Sequence, residues 1–388
     1  MIFYGMKKGL GDFSATDHAL MARALRLAER GLFTTQPNPR VGCVIARDGE
    51  IVGEGWHQRA GEPHAEVFAL QAAGEHARGA TAYVTLEPCS HHGRTPPCVD
   101  ALLEAGVARV VVASEDPNPE VGGAGLQRLR DAGVAVETGL MRDVARELNR
   151  GFFSRFERGR PWLRVKLAIS LDGRTALANG ESKWITGEAA RVDVQRWRAR
   201  SSAILTASGT ARADDPRLTV RLPDSEPHPH PNPPLEGEGF RPLRVVLDPR
   251  LDALSPRANL LDGSAPTLVL HASGAQAPDD RYVRAELAAV GLGADGKLDL
   301  HAVMRLLAER EVNELQVEAG PRLCGALFEA GLVDELLLYV APTLLGDSAR
   351  PLLHLPSLAS MTERHDWRTV DRRMLGTDQR LLLRPVAL

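Results

Sequence analysis

Four side chains between His64 and Cys98 have the types and spacing for metal-assisted hydrolysis. His64 is followed two residues later by Glu66, and Cys89 and Cys98 stand in the run Pro88-Cys89-Ser90-His91-His92-Gly93-Arg94-Thr95-Pro96-Pro97-Cys98. One imidazole and two thiolates make three ligands of a tetrahedral zinc and leave the fourth position to water. A carboxylate two residues beyond the ligand histidine cannot easily reach the same ion. It can stand beside the water and move its proton.

That division of labour serves hydrolytic deamination of a nucleobase-like ring, in which water attacks an amino-bearing carbon and a non-ligand Glu carries protons. The usual form closes with Pro-Cys-x-x-Cys. Here eight residues separate the two cysteines, and His91 and His92 inside that gap are alternative ligands. A zinc held only for structure would bring four protein ligands, and a cysteine without metal is a small buried hydrophobe.

The elements that must position these groups follow from periodicity and punctuation. Asp17 to Arg30 has a helical stripe of Leu20, Ala24, Leu27 and Ala28, stopped by Gly31. Gln36-Pro37-Asn38-Pro39 forces a loop. Val41 to Ala46 and Ile51 to Gly55 form strands about an Asp48-Gly49 turn. A helix over Ala65 to Ala73 puts His64 and Glu66 at its start. A strand over Thr81 to Leu86 runs into Cys89, and Cys98 opens a helix from Val99 to Glu104. Thiols at helix N-termini favour the thiolate. Strands Arg109 to Ala113 and Val134 to Val136 flank a helix from Gly125 to Asp131, and the alternation predicts a mixed sheet covered by helices.

Length and composition set the outer limits. The 388 residues suffice for two domains, and 44% hydrophobic with 25% charged residues describes a globular chain. A net charge of -3 without basic clusters excludes a polyanion-binding signature, and no apolar run spans a bilayer. Of four cysteines, two are explained by metal and Cys43 and Cys324 read as buried thiols, which suits a reducing cytoplasm. Residues 1–16 read as a disordered extension, with Met6 an alternative start, and 17–158 as the first domain. Gly151 to Gly159 reads as the join to a second domain over 159–388. Inside the latter, 223–239 is a Pro-rich insertion whose two histidines read as bystanders.

The second half alternates likewise. Strands are expected over Trp162 to Ile169, Ala203 to Thr206, Leu243 to Leu247, Thr267 to Leu270, Leu315 to Val317 and Glu335 to Val340. Helices are expected over Glu188 to Arg200 and Pro321 to Glu329. Neither a Gly-x-Gly-x-x-Gly fingerprint nor a Walker loop is present. Lys166 lies within an apolar strand, either as a functional cation or snorkelling from a strand edge. Glu318-Ala319-Gly320-Pro321 starts a helix with small residues that admit a phosphate to its N–H groups, although Gly-Pro also merely starts helices.

Taken together, Pro37-Asn38-Pro39, Val41-Gly42, His64-Ala65-Glu66, Thr85-Leu86-Glu87-Pro88-Cys89 and Gly93-Arg94-Thr95-Pro96-Pro97-Cys98 resemble the bifunctional riboflavin-biosynthesis deaminase–reductase family. The second half adds Lys166-Leu167-Ala168, Ser170-Leu171-Asp172-Gly173-Arg174, Gly180-Glu181-Ser182, Trp184-Ile185-Thr186, Ala213-Asp214-Asp215-Pro216, Leu218-Thr219-Val220-Arg221 and Val317-Glu318-Ala319-Gly320-Pro321. The likeness runs from about Asp17 to the C-terminus, and the long cysteine gap is that family's form.

The resemblance implies an α/β chain: an N-terminal cytidine-deaminase-like three-layer domain plus a C-terminal dihydrofolate-reductase-like α/β domain. The first would deaminate 2,5-diamino-6-ribosylamino-4(3H)-pyrimidinone 5′-phosphate. The second would use NADPH to reduce the ribosyl group of 5-amino-6-(5-phosphoribosylamino)uracil to ribityl. By position, His64, Cys89 and Cys98 would hold Zn2+, with Glu66 as proton shuttle. Asn38, His57, Arg94, Asp116 and Asn118 would contact the first substrate. Lys166 would be catalytic in reduction, with Ser182, Arg198, Leu218, Arg221 and Glu318 at the substrate. Ala168, Trp184, Thr210, Asp214, Gly320, Pro321, Arg322, Leu323, Cys324, Gly325 and Ala326 would line the NADPH site.

The resemblance also implies a small phosphorylated pyrimidine as substrate, no nucleic-acid or membrane partner, and leaves a homo-oligomer open. Pro249 departs from the family, removing a hydroxyl and an N–H near the cofactor. It keeps in view a deaminase with a degenerate second domain. A nucleic-acid-editing deaminase would need a basic groove with aromatic platforms, which 5% aromatic residues do not supply.

Overall fold

A computed structural model describes residues 13–91, 96–119, 121–221 and 241–386. Arg94, His92, the Pro-rich insertion and Met6 lie outside the described residues. No helix among those described is long and apolar enough to cross a membrane. They divide into two compact units between Arg158 and Gly159.

The first unit is built on strands β1 (Gly42–Arg47), β2 (Glu50–Trp56), β3 (Thr81–Val84), β4 (Arg109–Val112) and β5 (Ala135–Thr138), in the order β2-β1-β3-β4-β5. β1 runs antiparallel to β2 and β3, while β3, β4 and β5 are parallel. Strand alternation sorts the side chains into two apolar layers. Cys43, Ile45, Val84, Val110 and Val112 pack with α2 (Ala65–Ala73), α3 (Cys98–Glu104) and α4 (Ala124–Asp131) through Ala69, Leu102, Leu126 and Leu129. Val44, Tyr83 and Val111 pack with α1 (Ala15–Ala28) through Met21, Ala24 and Leu25, and with Ala145 of α5 (Arg142–Leu148). Gly55 brings β2 hard against α2, because a Cβ there would lie 2.3 Å from the Ala65 carbonyl oxygen.

Two of the differences from expectation have a cause in named side chains. The first helix starts at Ala15 rather than Asp17, because the Ser14 hydroxyl and the Asp17 carboxylate form a reciprocal capping box. Residues 13–16 of the stretch expected to be a disordered extension are thus described, and two of them are helical. The segment expected as the join is a helix, α6 (Arg150–Arg158). Its charged residues misled, since Phe152 and Phe153 are buried against Leu86 while Arg155 stacks on Phe156.

The second unit contains β6 (Trp162–Ser170), β7 (Arg174–Ala176), α7 (Glu188–Arg200), β8 (Ala203–Ala207), α8 (Ser208–Asp214), β9 (Leu243–Leu247), β10 (Thr267–Ala272), β11 (Glu286–Val290), α9 (Leu300–Glu309), β12 (Glu314–Val317), α10 (Pro321–Glu329), β13 (Glu335–Ala341), β14 (Arg350–Pro351), β15 (Trp367–Leu375) and β16 (Asp378–Pro385). Nine strands form one sheet in the order β11-β10-β9-β8-β12-β6-β13-β16-β15. It is parallel through β13 and antiparallel at β16 and β15. β7 and β14 pair separately.

The two faces of this sheet differ. Leu163, Val165, Leu315, Val317 and Leu336 are buried with Met304 and Leu307 of α9 and Leu327 of α10. The alternate positions carry Arg164, Lys166, Glu314, Gln316 and Glu335, covered by α7. Arg164 bonds Glu314 at 2.9 Å and Glu335 at 2.6 Å. Arg200 and Arg384 also reach these carboxylates, and the Trp197 ring stacks on Arg164 at 4.4 Å. β6 is central, flanked by β12 and β13, so Lys166 does not lie on a strand edge.

Candidate active sites

His64 is the N-cap of α2, and its side chain makes no capping bond. Glu66 lies in that helix's first turn, 3% exposed. Cys98 is the first residue of α3, and its backbone N–H donates to the Cys89 thiol at 3.4 Å. His64 Nδ1 is 3.2 Å from Cys98 Sγ and 3.5 Å from Cys89 Sγ, and the three ligand atoms lie within 4.8 Å of one another. Tetrahedral zinc with sulfur and nitrogen ligands sets its ligand atoms roughly 3.5–3.8 Å apart, so the cluster has the right dimensions.

Electrostatics point the same way. Hydrogen bonding between the two thiols lowers the pKa of Cys89 and raises that of Cys98. Without a cation the pair supports one negative charge; a metal lets both become thiolates. Burial pushes Glu66 up to about 7, against the pull of His64. Glu66 Oε2 is buried without a hydrogen-bond partner. Such an orphaned acceptor calls for a ligand or a proton.

Other predicted residues collect around this cluster. Asn38 Nδ2 is 3.1 Å from Nε2 of His57, whose Nδ1 is 3.2 Å from the Pro63 carbonyl oxygen. Burial lowers His57 to about 4, which keeps it neutral. Its ring meets that of His64 edge to face at 5.3 Å between centroids. Burial raises Asp116 to about 6, and its Oδ1 accepts the Asn118 N–H at 2.8 Å. Asn149, not singled out in the sequence, clamps the Asn38 loop. It accepts the Arg40 N–H at 2.8 Å and donates to the Arg40 carbonyl at 2.9 Å.

In the second unit, the Glu318 carboxylate takes a fork of hydrogen bonds from Arg198, at 2.7 and 2.8 Å. Gln316 Nε2 adds another at 2.9 Å. Burial would raise Glu318, but Arg198 and Lys166 hold it at about 2. Burial lowers Lys166 below the ordinary lysine value, with Glu318 opposing and Arg198 reinforcing. The Lys166 ammonium stands 5.8 Å from the centre of the Tyr339 ring. Arg221 bonds Thr219 and feels the charges of Arg198 and Glu318. Lys166, Arg198, Arg221 and Glu318 are thus one electrostatic group.

Gly320 caps α10 without a side-chain bond, and its N–H donates to the Thr210 hydroxyl at 3.2 Å. The nearest atom to a Cβ at Gly320 would be 3.8 Å away, so this helix start is open to a ligand. Arg322 is exposed and Pro321, Leu323 and Ala326 are partly so. Cys324 and Gly325 point inward: Cys324 is in the core, and a Cβ at Gly325 would strike the His354 carbonyl oxygen at 2.0 Å. Only their backbones can serve a ligand. Leu218 likewise buries its side chain, leaving its backbone available. Ser182 and Trp184 belong to the segment before α7, with Trp184 71% exposed and stacked on Arg191. Ala168 lies two residues beyond Lys166 on the same strand face, and Asp214 ends α8 in solvent. Pro249 sits in an ordered turn, its carbonyl accepting the Ala272 N–H at 3.1 Å.

A three-layer unit bearing an imidazole–thiolate centre, followed by a mostly parallel sheet bearing a half-buried lysine, defines a hydrolytic deaminase fused to a reductase. Residues 14–114 match the cytidine and deoxycytidylate deaminase zinc-binding region, and 161–377 match the RibD C-terminal domain. The chain is 51% identical to the riboflavin biosynthesis protein RibD of Escherichia coli, over 93% of this chain and 97% of that protein. Its identity to the Haemophilus influenzae RibD is 47%, over 96% and 99%. A solved Acinetobacter baumannii RibD superimposes with a TM-score of 0.86 at 43% identity, covering 96% of this chain and 99% of that one. A Thermotoga maritima deaminase/reductase gives 0.81 at 31%, with the same coverage.

The chain belongs to the bifunctional riboflavin-biosynthesis deaminase–reductase family. Its folds are those the motifs implied, a cytidine-deaminase-like unit and the family's reductase unit. It is an enzyme with two activities, and neither the deaminase-only nor the nucleic-acid-editing reading is favoured.

Proposed function

We propose that the two centres act in sequence on one phosphorylated pyrimidine. The first hydrolyses the amino group of 2,5-diamino-6-ribosylamino-4(3H)-pyrimidinone 5′-phosphate. The second reduces the ribosyl group of the resulting 5-amino-6-(5-phosphoribosylamino)uracil to ribityl, with NADPH. The substrates are small molecules rather than a nucleic acid or a membrane, and the compartment is the cytoplasm. The Thermotoga maritima relative is named for both activities. The observation that carries the reading is the unpartnered Glu66 oxygen beside a three-ligand cluster.

His64, Cys89 and Cys98 would hold zinc, which would supply a more acidic water. Glu66 would take a proton from the attacking water and return one to the departing nitrogen, so water is consumed and ammonia released. Neutral His57 and Asn38, with Asp116 and Asn118, read the pyrimidine edge, and Arg94 is the charge suited to the phosphate.

In the second unit NADPH, when bound, supplies a hydride to the sugar carbon. Lys166 holds a proton near that carbon, and Glu318 opposes the lowering of its pKa by burial. Arg198 and Arg221, with Ser182 and the Leu218 backbone, orient the substrate. The open start of α10, Thr210, Ala168, Asp214 and Trp184 hold the cofactor.

A two-step assay with metal analysis tests the reading. Zinc-loaded protein should release ammonia from the diamino substrate, and then oxidise NADPH on the product. Ammonia release without NADPH oxidation on supplied deaminated substrate would overturn the second half.

A further inference from the structure

Glu87 has no part in the chemistry above, yet its carboxylate, 4% exposed, gathers four backbone N–H groups from one stretch of chain. Oε2 accepts from Asp116 at 3.2 Å and Gly123 at 2.9 Å. Oε1 accepts from Gly125 at 3.1 Å and Leu126 at 3.4 Å, in the first turn of α4. The Glu87 backbone N–H donates in turn to the Ser114 carbonyl at 3.0 Å. Contact is close enough to exclude any side chain at Gly125, where a Cβ would lie 2.2 Å from the Pro88 carbonyl oxygen. Charge-assisted bonds to N–H groups at a helix start are among the stronger hydrogen bonds.

One carboxylate therefore ties together two things. It follows β3 into the metal-ligand segment, two residues before Cys89, and it anchors the loop that carries Asp116 and Asn118. That loop has its own Asx turn, from the Asn118 N–H to Asp116 Oδ1. The turn fixes the two side chains relative to each other. It does not fix them relative to the zinc cluster; Glu87 does. Only an acceptor with two oxygens can serve both pairs of donors, because an amide has one acceptor oxygen and turns its NH2 against the other pair.

We propose that Glu87 is a positioning residue for deamination, holding Asp116 and Asn118 at the working distance from the metal-bound face of the site. The proposal rests on Asp116 and Asn118 being substrate contacts. A misplacement of about 1 Å in such contacts costs on the order of 100-fold.

Full-length Glu87→Gln provides the test, with zinc content, KM and kcat for ammonia release, and NADPH oxidation on supplied deaminated substrate. The expected result is a KM raised ~10- to 100-fold with kcat within about threefold. Zinc should remain stoichiometric and reduction unchanged. Glu87→Asp keeps both acceptor oxygens on a shorter arm and should recover part of the loss; it also carries the test if the Gln variant does not fold. Combining either variant with the Asp116→Ala/Asn118→Ala pair should be no worse than that pair alone, because the effect passes through those two side chains. Wild-type KM in Glu87→Gln, loss of zinc, or full additivity with that pair would overturn the proposal. Failure of the functional reading looks different: the wild-type protein would release no ammonia, or Asp116→Ala would leave KM unchanged.

Discussion

The two units handle buried charge in opposite ways. The sheet of the first packs apolar layers on both faces, and its candidate metal-ligating and proton-moving groups converge at the ends of elements, at His64, Cys89, Cys98 and Glu66. Among the described residues, no lysine or arginine pairs with the two thiols of that cluster. The sheet of the second carries its charges within the strands, and neighbouring strands or α7 supply the counter-charges: Arg164 with Glu314 and Glu335, and Arg198 with Glu318. A buried pair of this kind leaves an uncompensated charge if either partner is removed. The first site therefore depends on an added ion, and the second on the integrity of its sheet.

The contrast is sharpest at the ligands. Cys98→Ser should lose stoichiometric zinc and abolish ammonia release, since a hydroxyl is a poor substitute for thiolate. Reduction of supplied intermediate should continue. Metal analysis beside the two assays reads this, and retained zinc with lost metal in His91→Ala would move the ligand assignment to His91.

Lys166→Ala should slow reduction roughly 100- to 10,000-fold while leaving zinc and ammonia release intact. The lysine also predicts a pH profile. Its value in the folded protein is below the ordinary 10.5, so its positive charge is present at low pH and lost as pH rises through that lowered value. The alkaline fall of reductase kcat/KM should begin below pH 10.5 and vanish from the residual rate of Lys166→Ala. A fall unchanged by that substitution would assign it to another group.

The smallest effect is expected outside both centres. Excising Pro227 to Gly237 should leave Tm and both activities near wild type, because loop-closure entropy changes slowly with length. A large drop in Tm, or in NADPH affinity alone, would tie that segment to the second unit.

The same contrast explains what the sequence made legible. The zinc cluster is compact in the chain, and its residue types have few alternative uses, so His64, Glu66, Cys89 and Cys98 could be picked out directly. From the residues alone, Lys166 was visible only as a cation out of place in an apolar strand. Its neighbours Arg198 and Glu318 came from the family resemblance alone, because they are 120 residues apart and an ion pair leaves no periodic trace. Glu87 was hidden for another reason: bonds to backbone N–H groups put no constraint on the types of residue that donate them. The helix at Arg150–Arg158 was missed because its exposed arginines resembled a linker, while the phenylalanines that bury it are only two adjacent positions. Most core strands were read from their hydrophobic runs, but β11 and β16 were not, although Val290 and Leu382 are buried. β15, largely exposed, has no such run to read.

The most direct test of two independent centres in one chain is Glu66→Gln, which keeps the side chain's size and removes its ability to take a proton. Zinc should stay bound, ammonia release should fall by ~100-fold or more, and NADPH oxidation on supplied deaminated substrate should proceed at the wild-type rate. Mixing this variant with Lys166→Ala should restore the overall conversion, because released intermediate can pass from one protein to the other. If Glu66→Gln stops NADPH oxidation even on supplied intermediate, the centres are not independent and the account fails.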